Sequence, residues 1–277
     1  MPTVRSEELR ALAQRLADAF PPGVIEVVLT GSVSRGVADE VSDVEMLVVT
    51  SEPLELEEAY AIAGEAGLEG LDSWGTQGVT AKRVSGYLEG QPFELIFWPH
   101  TFAEEELEAL LRGKLSSSAD ALAHGVSLRT SGLLAGWQAQ LREYPEELAV
   151  ARIEDAALPW GGFTPAGLLT IVRPDERLSL IEWLFDGALR VLRIVYALNR
   201  VWEPTTKRLA ARVEPLAVKP ERLAERIEEA LTEPDPRRAL LTMTELQLET
   251  VQLAPSGPNV DRARVWLAEG ANLLLRA

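Results

Sequence analysis

The chain of 277 residues contains no cysteine and only two histidines, His100 and His124. The lack of cysteine excludes disulfide bonds, a thiol nucleophile and a thiolate metal site. With only two histidines, a zinc site built on several histidines is also poorly supported. Metal chemistry in this protein is therefore expected to use oxygen ligands.

Long apolar runs are also missing. The segment from Met1 to Phe20 is charged throughout and lacks the apolar stretch of a signal peptide, and no run is long enough to span a membrane. Hydrophobic residues make up 47% and charged residues 25% of the chain, which is typical of a globular protein. We expect a cytoplasmic protein of two ordinary-sized domains, as a monomer or a homodimer.

Positive charge is scarce, since 27 Lys and Arg residues face 43 Asp and Glu residues and give a net charge of −16. Proteins that bind nucleic acid normally carry a basic face, so this balance argues against a nucleic-acid partner. An acidic surface raises the local concentration of cationic ligands, such as polyamines or aminoglycosides. The alternative is that the excess acid only keeps the protein in solution.

A short β-branched run, residues 24–30, ends at Gly31-Ser32 and predicts a buried strand followed by a sharp turn. Glycine lets the backbone approach a ligand closely. The Ser32 hydroxyl and nearby amides can donate hydrogen bonds to phosphate oxygens. The pattern indicates a phosphate-binding turn.

Two carboxylates open the next apolar run, at Asp43 and Glu45. Alternate residues of a strand share a face, so both carboxylates are expected on one side of the sheet. Glu94 is a lone acid within another apolar run, residues 92–98, and needs a partner if it is buried. The three acids together predict an Mg²⁺ site. Taken alone, Ser42-Asp43-Val44-Glu45 could instead be a cap at a solvated strand edge.

The glycine-serine turn, the Asp-x-Glu pair and the later strand acid resemble the signature of the DNA polymerase β-like nucleotidyltransferase superfamily. Residues 31–36 and 42–46 are similar to the kanamycin-type aminoglycoside nucleotidyltransferases. The resemblance covers roughly residues 24–98. It implies that Asp43, Glu45 and Glu94 bind Mg²⁺, and that Gly31, Ser32 and Arg35 contact the triphosphate of ATP or another nucleoside triphosphate. Arg35 could equally pair with Asp39 or Glu40.

The pattern of the chain predicts an α/β (α+β) protein with a mixed-sheet N-terminal domain and an all-helical C-terminal bundle. Helices are expected over residues 6–20 and 55–66, and a strand near residues 79–84. From Phe102 onward the pattern is helical, including residues 129–143. The boundary is placed at residue 115, which gives a catalytic domain over 1–115 and a substrate-binding domain over 116–277.

A long helix is expected from Pro174 to about Asn199. Its predicted apolar face consists of Leu178, Ile181, Leu184, Phe185, Ala188, Leu192 and Val195. The segment around Asp186 resembles the part of the kanamycin-type enzymes that supplies a general base, although the family has Glu there. Glu182 is the nearest alternative base. A solvated ion pair between Asp186 and Arg190 is the structural alternative.

Two further residues carry a resemblance to helical domains of related bacterial nucleotidyltransferases. In the segment from Asn199 to Lys207, Lys207 could neutralise triphosphate charge and Asn199 could contact the nucleotide. The alternative is a helix-end cap followed by a proline stop. Three tryptophans, Trp160, Trp183 and Trp202, could line a pocket, although tryptophans of a helical bundle more often belong to its core.

These features together predict an Mg²⁺-dependent adenylyltransferase that moves AMP to a hydroxyl of a small cationic acceptor and releases pyrophosphate. Glu94 is a second candidate for the general base. Two alternatives are a nucleotidyltransferase that modifies tRNA or protein, and a nucleotide-binding protein without catalysis. The three intact acids argue against the last.

Overall fold

The computed structural model describes residues 2–73, 80–157, 173 and 177–276. The chain divides into two compact units, Met1–Glu143 and Tyr144–Ala277. Among the described residues, no helix has the length and apolar character that crossing a membrane requires. Pro174 and Trp160, which the sequence analysis singled out, lie outside the described residues.

The first unit combines a mixed sheet with helices, as the sequence predicts. Its elements are α1 Val4–Ala19, β1 Val24–Leu29, α2 Gly31–Ser34, β2 Val44–Thr50, α3 Leu56–Glu65, β3 Glu69–Asp72, β4 Lys82–Leu88, β5 Gln91–Pro99, α4 His100–Leu111, α5 Ser118–Ala123, β6 Val126–Arg129 and α6 Leu133–Leu141.

The sheet of the first unit has six strands in the order β3-β4-β5-β2-β1-β6. Strands β2 and β5 are parallel, and the other neighbouring pairs are antiparallel. Alternate residues of the central strands, including Met46, Val48 and Leu95, are buried in one cluster with residues of α1 and α3. Since strand side chains alternate, Glu45, Leu47 and Glu94 point to the opposite face.

The chain after Phe102 is not purely helical, so that prediction was wrong. Val126–Arg129 forms strand β6, which pairs antiparallel with β1. Gly132, with φ 95°, then starts α6, so the helix predicted to begin at Arg129 begins at Leu133. The pairing of β6 with β1 keeps residues 116–143 with the sheet. The two compact units accordingly divide after Glu143, whereas the sequence analysis placed a boundary at residue 115.

Arg129 shows why strand β6 belongs to this sheet. Its guanidinium donates hydrogen bonds to five backbone carbonyl groups at the end of α1 and in the turn that follows, those of Ala17, Asp18, Phe20, Pro21 and Val24. The last carbonyl groups of a helix have no partner within the helix, and a cation there also offsets the helix dipole. Arg129 thus fastens β6 to the C-terminal end of α1.

Among its described residues, the second unit contains helices joined by loops and no strand. Its helices are α7 Glu146–Ala157, α8 Arg177–Leu198, α9 Leu209–Val213, α10 Leu223–Thr232, α11 Pro236–Leu253 and α12 Pro258–Arg276.

Helix α8 is the centre of the second unit, and its buried residues pack in two clusters. Leu184, Leu192 and neighbouring residues contact α10 and α11, while Ile194 and Ala197 pack with residues of α7, α11 and α12. The predicted apolar face was wrong at Leu178, Ile181 and Phe185, which are 80%, 46% and 50% exposed.

Candidate active site

The three predicted metal ligands lie together at one end of the central strands. Parallel pairing aligns Glu45 of β2 with Glu94 of β5, so the two side chains share a face of the sheet. Asp43 precedes β2, and one carboxylate oxygen from each of the three residues lies within 4.8 Å of the other two. All three residues are half-buried. We call Asp43, Glu45 and Glu94 the acid cluster.

Gly31 lies directly against the acid cluster. It has φ 67°, a left-handed conformation that glycine tolerates better than other residues. A Cβ atom at this position would overlap the carboxylate of Glu45. The amide and hydroxyl of the preceding Thr30 both donate to the Glu45 carbonyl, at 2.9 and 3.2 Å. The backbone angle and the space that Glu45 occupies therefore both favour glycine here.

Arg35 makes contacts that the sequence analysis did not foresee. Its Nη1 donates to the Gly31 carbonyl at 3.0 Å, and its Nη2 lies 2.5 Å from Oδ2 of Asp120 in α5. Asp39, one of the two partners expected for Arg35, accepts a hydrogen bond from Ser42 at 2.8 Å. Asp120 was missed by the sequence analysis, although a lone acid in the apolar run Ala119-Asp120-Ala121-Leu122 was a signal that could have found it.

The two candidate bases lie on α8 in the second unit. Asp186 accepts a hydrogen bond from Nε of Arg190 at 2.6 Å, so the ion pair weighed as the structural alternative is present. Arg190 is largely buried and also donates to the carbonyl of Ala156. Glu182 is exposed.

Asn199 and Lys207 also lie in the second unit, at the end of α8 and in the turn before α9. The Asn199 amide donates to the carbonyl groups of Val195 and Val218 and accepts from the amide of Val218. These bonds cap the end of α8 and connect it to the segment at Val218. Lys207 is exposed.

The chemistry of the acid cluster fits Mg²⁺. Three carboxylates so close together repel one another unless a cation or a proton lies between them. Carboxylate oxygens are the ligands that Mg²⁺ takes in proteins, together with water and substrate phosphates. The neighbouring turn, Gly31-Ser32, which we call the glycine turn, supplies hydroxyl and amide donors suited to phosphate oxygens.

A mixed sheet that carries three carboxylates beside a glycine turn defines a candidate site for metal-assisted transfer at phosphorus. One comparison with known proteins, a match to a family model, points to the same class. Residues 9–83 match the family model described as "Nucleotidyltransferase domain". This segment includes the glycine turn, Asp43 and Glu45, and ends before Glu94. The protein is thus an enzyme of the nucleotidyltransferase class.

Other comparisons give distant similarity. No curated protein matches the sequence. A solved structure of a nucleotidyltransferase-like protein from Exiguobacterium sibiricum 255-15 is 12% identical, covers 98% of this chain and 91% of its own, and has a TM-score of 0.42. The structure of Cid1 in complex with its short product ApU is 16% identical, covers 44% of this chain and 40% of its own, and has a TM-score of 0.26.

Proposed function

We propose that the protein transfers a nucleoside monophosphate, AMP from ATP in the preferred case, to a hydroxyl of a small cationic acceptor such as an aminoglycoside, with release of pyrophosphate. The observation that carries the proposal is the acid cluster, whose three carboxylate oxygens lie within 4.8 Å of one another beside the glycine turn. The matched nucleotidyltransferase domain over residues 9–83 supports the type of reaction.

In this proposal, Asp43, Glu45 and Glu94 hold Mg²⁺. The ion supplies positive charge that offsets the charge developing on the attacking and leaving oxygens. Ser32 and the amides of the glycine turn bind phosphate oxygens of the triphosphate and orient it for in-line attack. The bond from the acceptor oxygen to the α-phosphorus forms as the bond to pyrophosphate breaks.

The acceptor hydroxyl must lose a proton during the attack. Glu94 and Asp186 are the two proposed proton acceptors, with Glu182 as the alternative on α8. Asp186 differs from the other two candidates because its Oδ2 accepts a hydrogen bond, at 2.6 Å, from Nε of Arg190 on the same helix. If Asp186 is the base, replacing it with asparagine should lower turnover and leave Mg²⁺ binding unchanged, whereas Glu94→Gln should weaken both.

The net charge of the chain supports the proposed acceptor class. With a net charge of −16, the chain favours the approach of cationic molecules and disfavours polyanions such as tRNA. A small cationic acceptor that carries hydroxyl groups meets both the electrostatic and the chemical requirement. Lys207 and Asn199 are retained as proposed nucleotide contacts of the second unit.

The test is transfer of label from each α-labelled triphosphate, with Mg²⁺, to aminoglycosides, lincosamides and bulk tRNA. We expect label from ATP on an aminoglycoside, lost in Asp43→Asn with little change in melting temperature. Asp39→Asn is the matched control, because Asp39 is an exposed acid of the same loop that lies outside the acid cluster, and its side chain accepts a hydrogen bond from Ser42. Activity retained in Asp43→Asn, or label found on tRNA alone, would overturn the proposal.

A further inference from the structure

The ion pair between Arg35 and Asp120 joins the glycine turn to a helix that the proposed reaction does not otherwise use. The two side chains are 14% and 6% exposed, so the pair is shielded from water. Asp120 uses both carboxylate oxygens, Oδ2 toward Arg35 and Oδ1 toward Nδ1 of His124 at 3.1 Å. A buried carboxylate held from both sides fixes the position of its partner.

Arg35, whose position Asp120 fixes, also contacts the glycine turn. Its Nη1 donates to the Gly31 carbonyl at 3.0 Å, and the Ser34 hydroxyl donates to the same oxygen at 3.1 Å. The peptide bond between Gly31 and Ser32 is planar and trans, so the direction of the Gly31 carbonyl also sets the direction of the Ser32 N–H. Two donors on one carbonyl oxygen thus hold that peptide group in one orientation.

The same turn meets the acid cluster. Gly31 lies so close to the Glu45 carboxylate that a Cβ atom would overlap it, and its left-handed φ of 67° depends on how the turn is held. A rotation of the Gly31 peptide would therefore move the phosphate donors and alter the space that Glu45 fills. The network runs from Asp120 through Arg35 to Gly31, and from there to Glu45.

We propose that Asp120 is a positioning residue for the donor triphosphate, which acts through Arg35 to hold the glycine turn in its phosphate-binding orientation. This inference rests on the proposed function. It gives Arg35 a role different from the phosphate contact that the family resemblance implies, because the guanidinium is bound by Asp120 and by the Gly31 carbonyl.

The experiment measures binding of the non-hydrolysable α,β-methylene analogues of ATP, GTP, CTP and UTP, with Mg²⁺, by titration calorimetry on the full chain. Asp120→Asn and Arg35→Gln are each expected to raise the Kd of the best analogue by about tenfold, the usual effect of losing a partner that orients a binding group. The double variant should be no weaker than Arg35→Gln alone, because Asp120 acts through Arg35. In turnover, the change should appear in KM for the triphosphate more than in kcat.

The matched control is Glu106→Gln. Glu106 of α4 is 7% exposed and pairs with Lys114. Replacing it removes the charge of a buried carboxylate that is paired with a half-exposed lysine of the first unit, away from the glycine turn. We expect a lower melting temperature and an unchanged Kd. Arg35→Lys guards against a failure to fold, because it keeps a positive charge opposite Asp120, while one ammonium group cannot replace the fork that reaches both Asp120 and Gly31.

The outcomes separate the two proposals. If the wild-type protein binds none of the four analogues, the proposed function fails. If it binds one, and Asp120→Asn and Arg35→Lys bind it as tightly as wild type does, the positioning role of Asp120 is refuted while the proposed function stands. An equal loss of affinity in Glu106→Gln would also refute it, since the effect would then be one of general stability.

Discussion

Replacing Gly31 with alanine tests whether the acid cluster depends on the shape of the glycine turn. Alanine at a φ of 67° is strained, and the strain should lower the free energy of unfolding by about 1–2 kcal/mol. The added Cβ would also overlap the Glu45 carboxylate. That carboxylate is the end of a flexible side chain, so it can move aside at little further cost in stability.

The functional cost of Gly31→Ala should be much larger than the cost in stability. The Glu45 oxygen would lie 1.8 Å from the new methyl carbon and must move by at least about 1.2 Å to reach a distance of 3.0 Å. A displacement of about 1 Å in a catalytic arrangement can cost about a hundredfold in rate. We therefore expect nucleotidyl transfer to fall by about two orders of magnitude. Binding of Mn²⁺, used as a probe of the acid cluster and followed by calorimetry, should weaken in parallel.

Gly90→Ala provides the matched control for Gly31→Ala. Gly90 lies in the turn between β4 and β5 with φ 78°, and a Cβ atom there would meet nothing within 4 Å. The control thus carries the backbone strain without the contact to Glu45. Urea denaturation should show similar losses of stability in both variants, whereas only Gly31→Ala should lose Mn²⁺ binding and transfer. Equal activity in the two variants would refute the reasoning.

Three further variants test two other residues of the first unit, Glu26 and His124. Glu26 is fully buried and accepts hydrogen bonds from the backbone amides of Ser131 and Leu133. Glu26→Leu would leave these amides without that acceptor, so urea denaturation should show a free energy of unfolding lower by about 3 kcal/mol. Glu26→Gln keeps an acceptor oxygen and should cost less. The hydrogen bond to Asp120 raises the pKa of His124, so protonated His124 stabilises the folded state at acidic pH and this stabilisation disappears as pH rises through the raised pKa. The loss of unfolding free energy in His124→Gln should therefore be larger at about pH 5 than at about pH 9. An equal loss at both pH values would contradict a stabilising role of protonated His124.

Hydrophobic periodicity predicted most elements of the first unit well. The runs at residues 24–30, 44–49 and 93–98 became β1, β2 and β5, because each is long, apolar and bounded by a turn. Strand β6 was missed because Val126–Arg129 has only four residues and none is fully buried. Its identity depends on pairing with β1, a contact between distant parts of the chain that local pattern does not contain.

The acid cluster could be predicted because a family resemblance supported it, and lone acids alone would have given a weaker answer. The sequence analysis treated Glu94 as significant because it stands alone in an apolar strand. Glu26 stands alone in β1 in the same way, yet its carboxyl group accepts hydrogen bonds from Ser127, Ser131 and the amide of Leu133. A lone acid on a strand thus indicates that partners exist and does not indicate their kind.

What separates Glu94 from Glu26 is the residue opposite each of them in the sheet. Glu94 is aligned with Glu45, another acid, and two ionised carboxylates cannot donate a hydrogen bond to each other. Glu26 is aligned with Val49 and lies beside the start of α6, whose backbone amides satisfy it. Asp120 is a third case, because it forms an ion pair with Arg35, three residues after the glycine turn. The strand register and the tertiary partners of a buried acid therefore decide whether it supports the fold, positions the site or can bind a metal. Spacing along the chain does not distinguish these three roles.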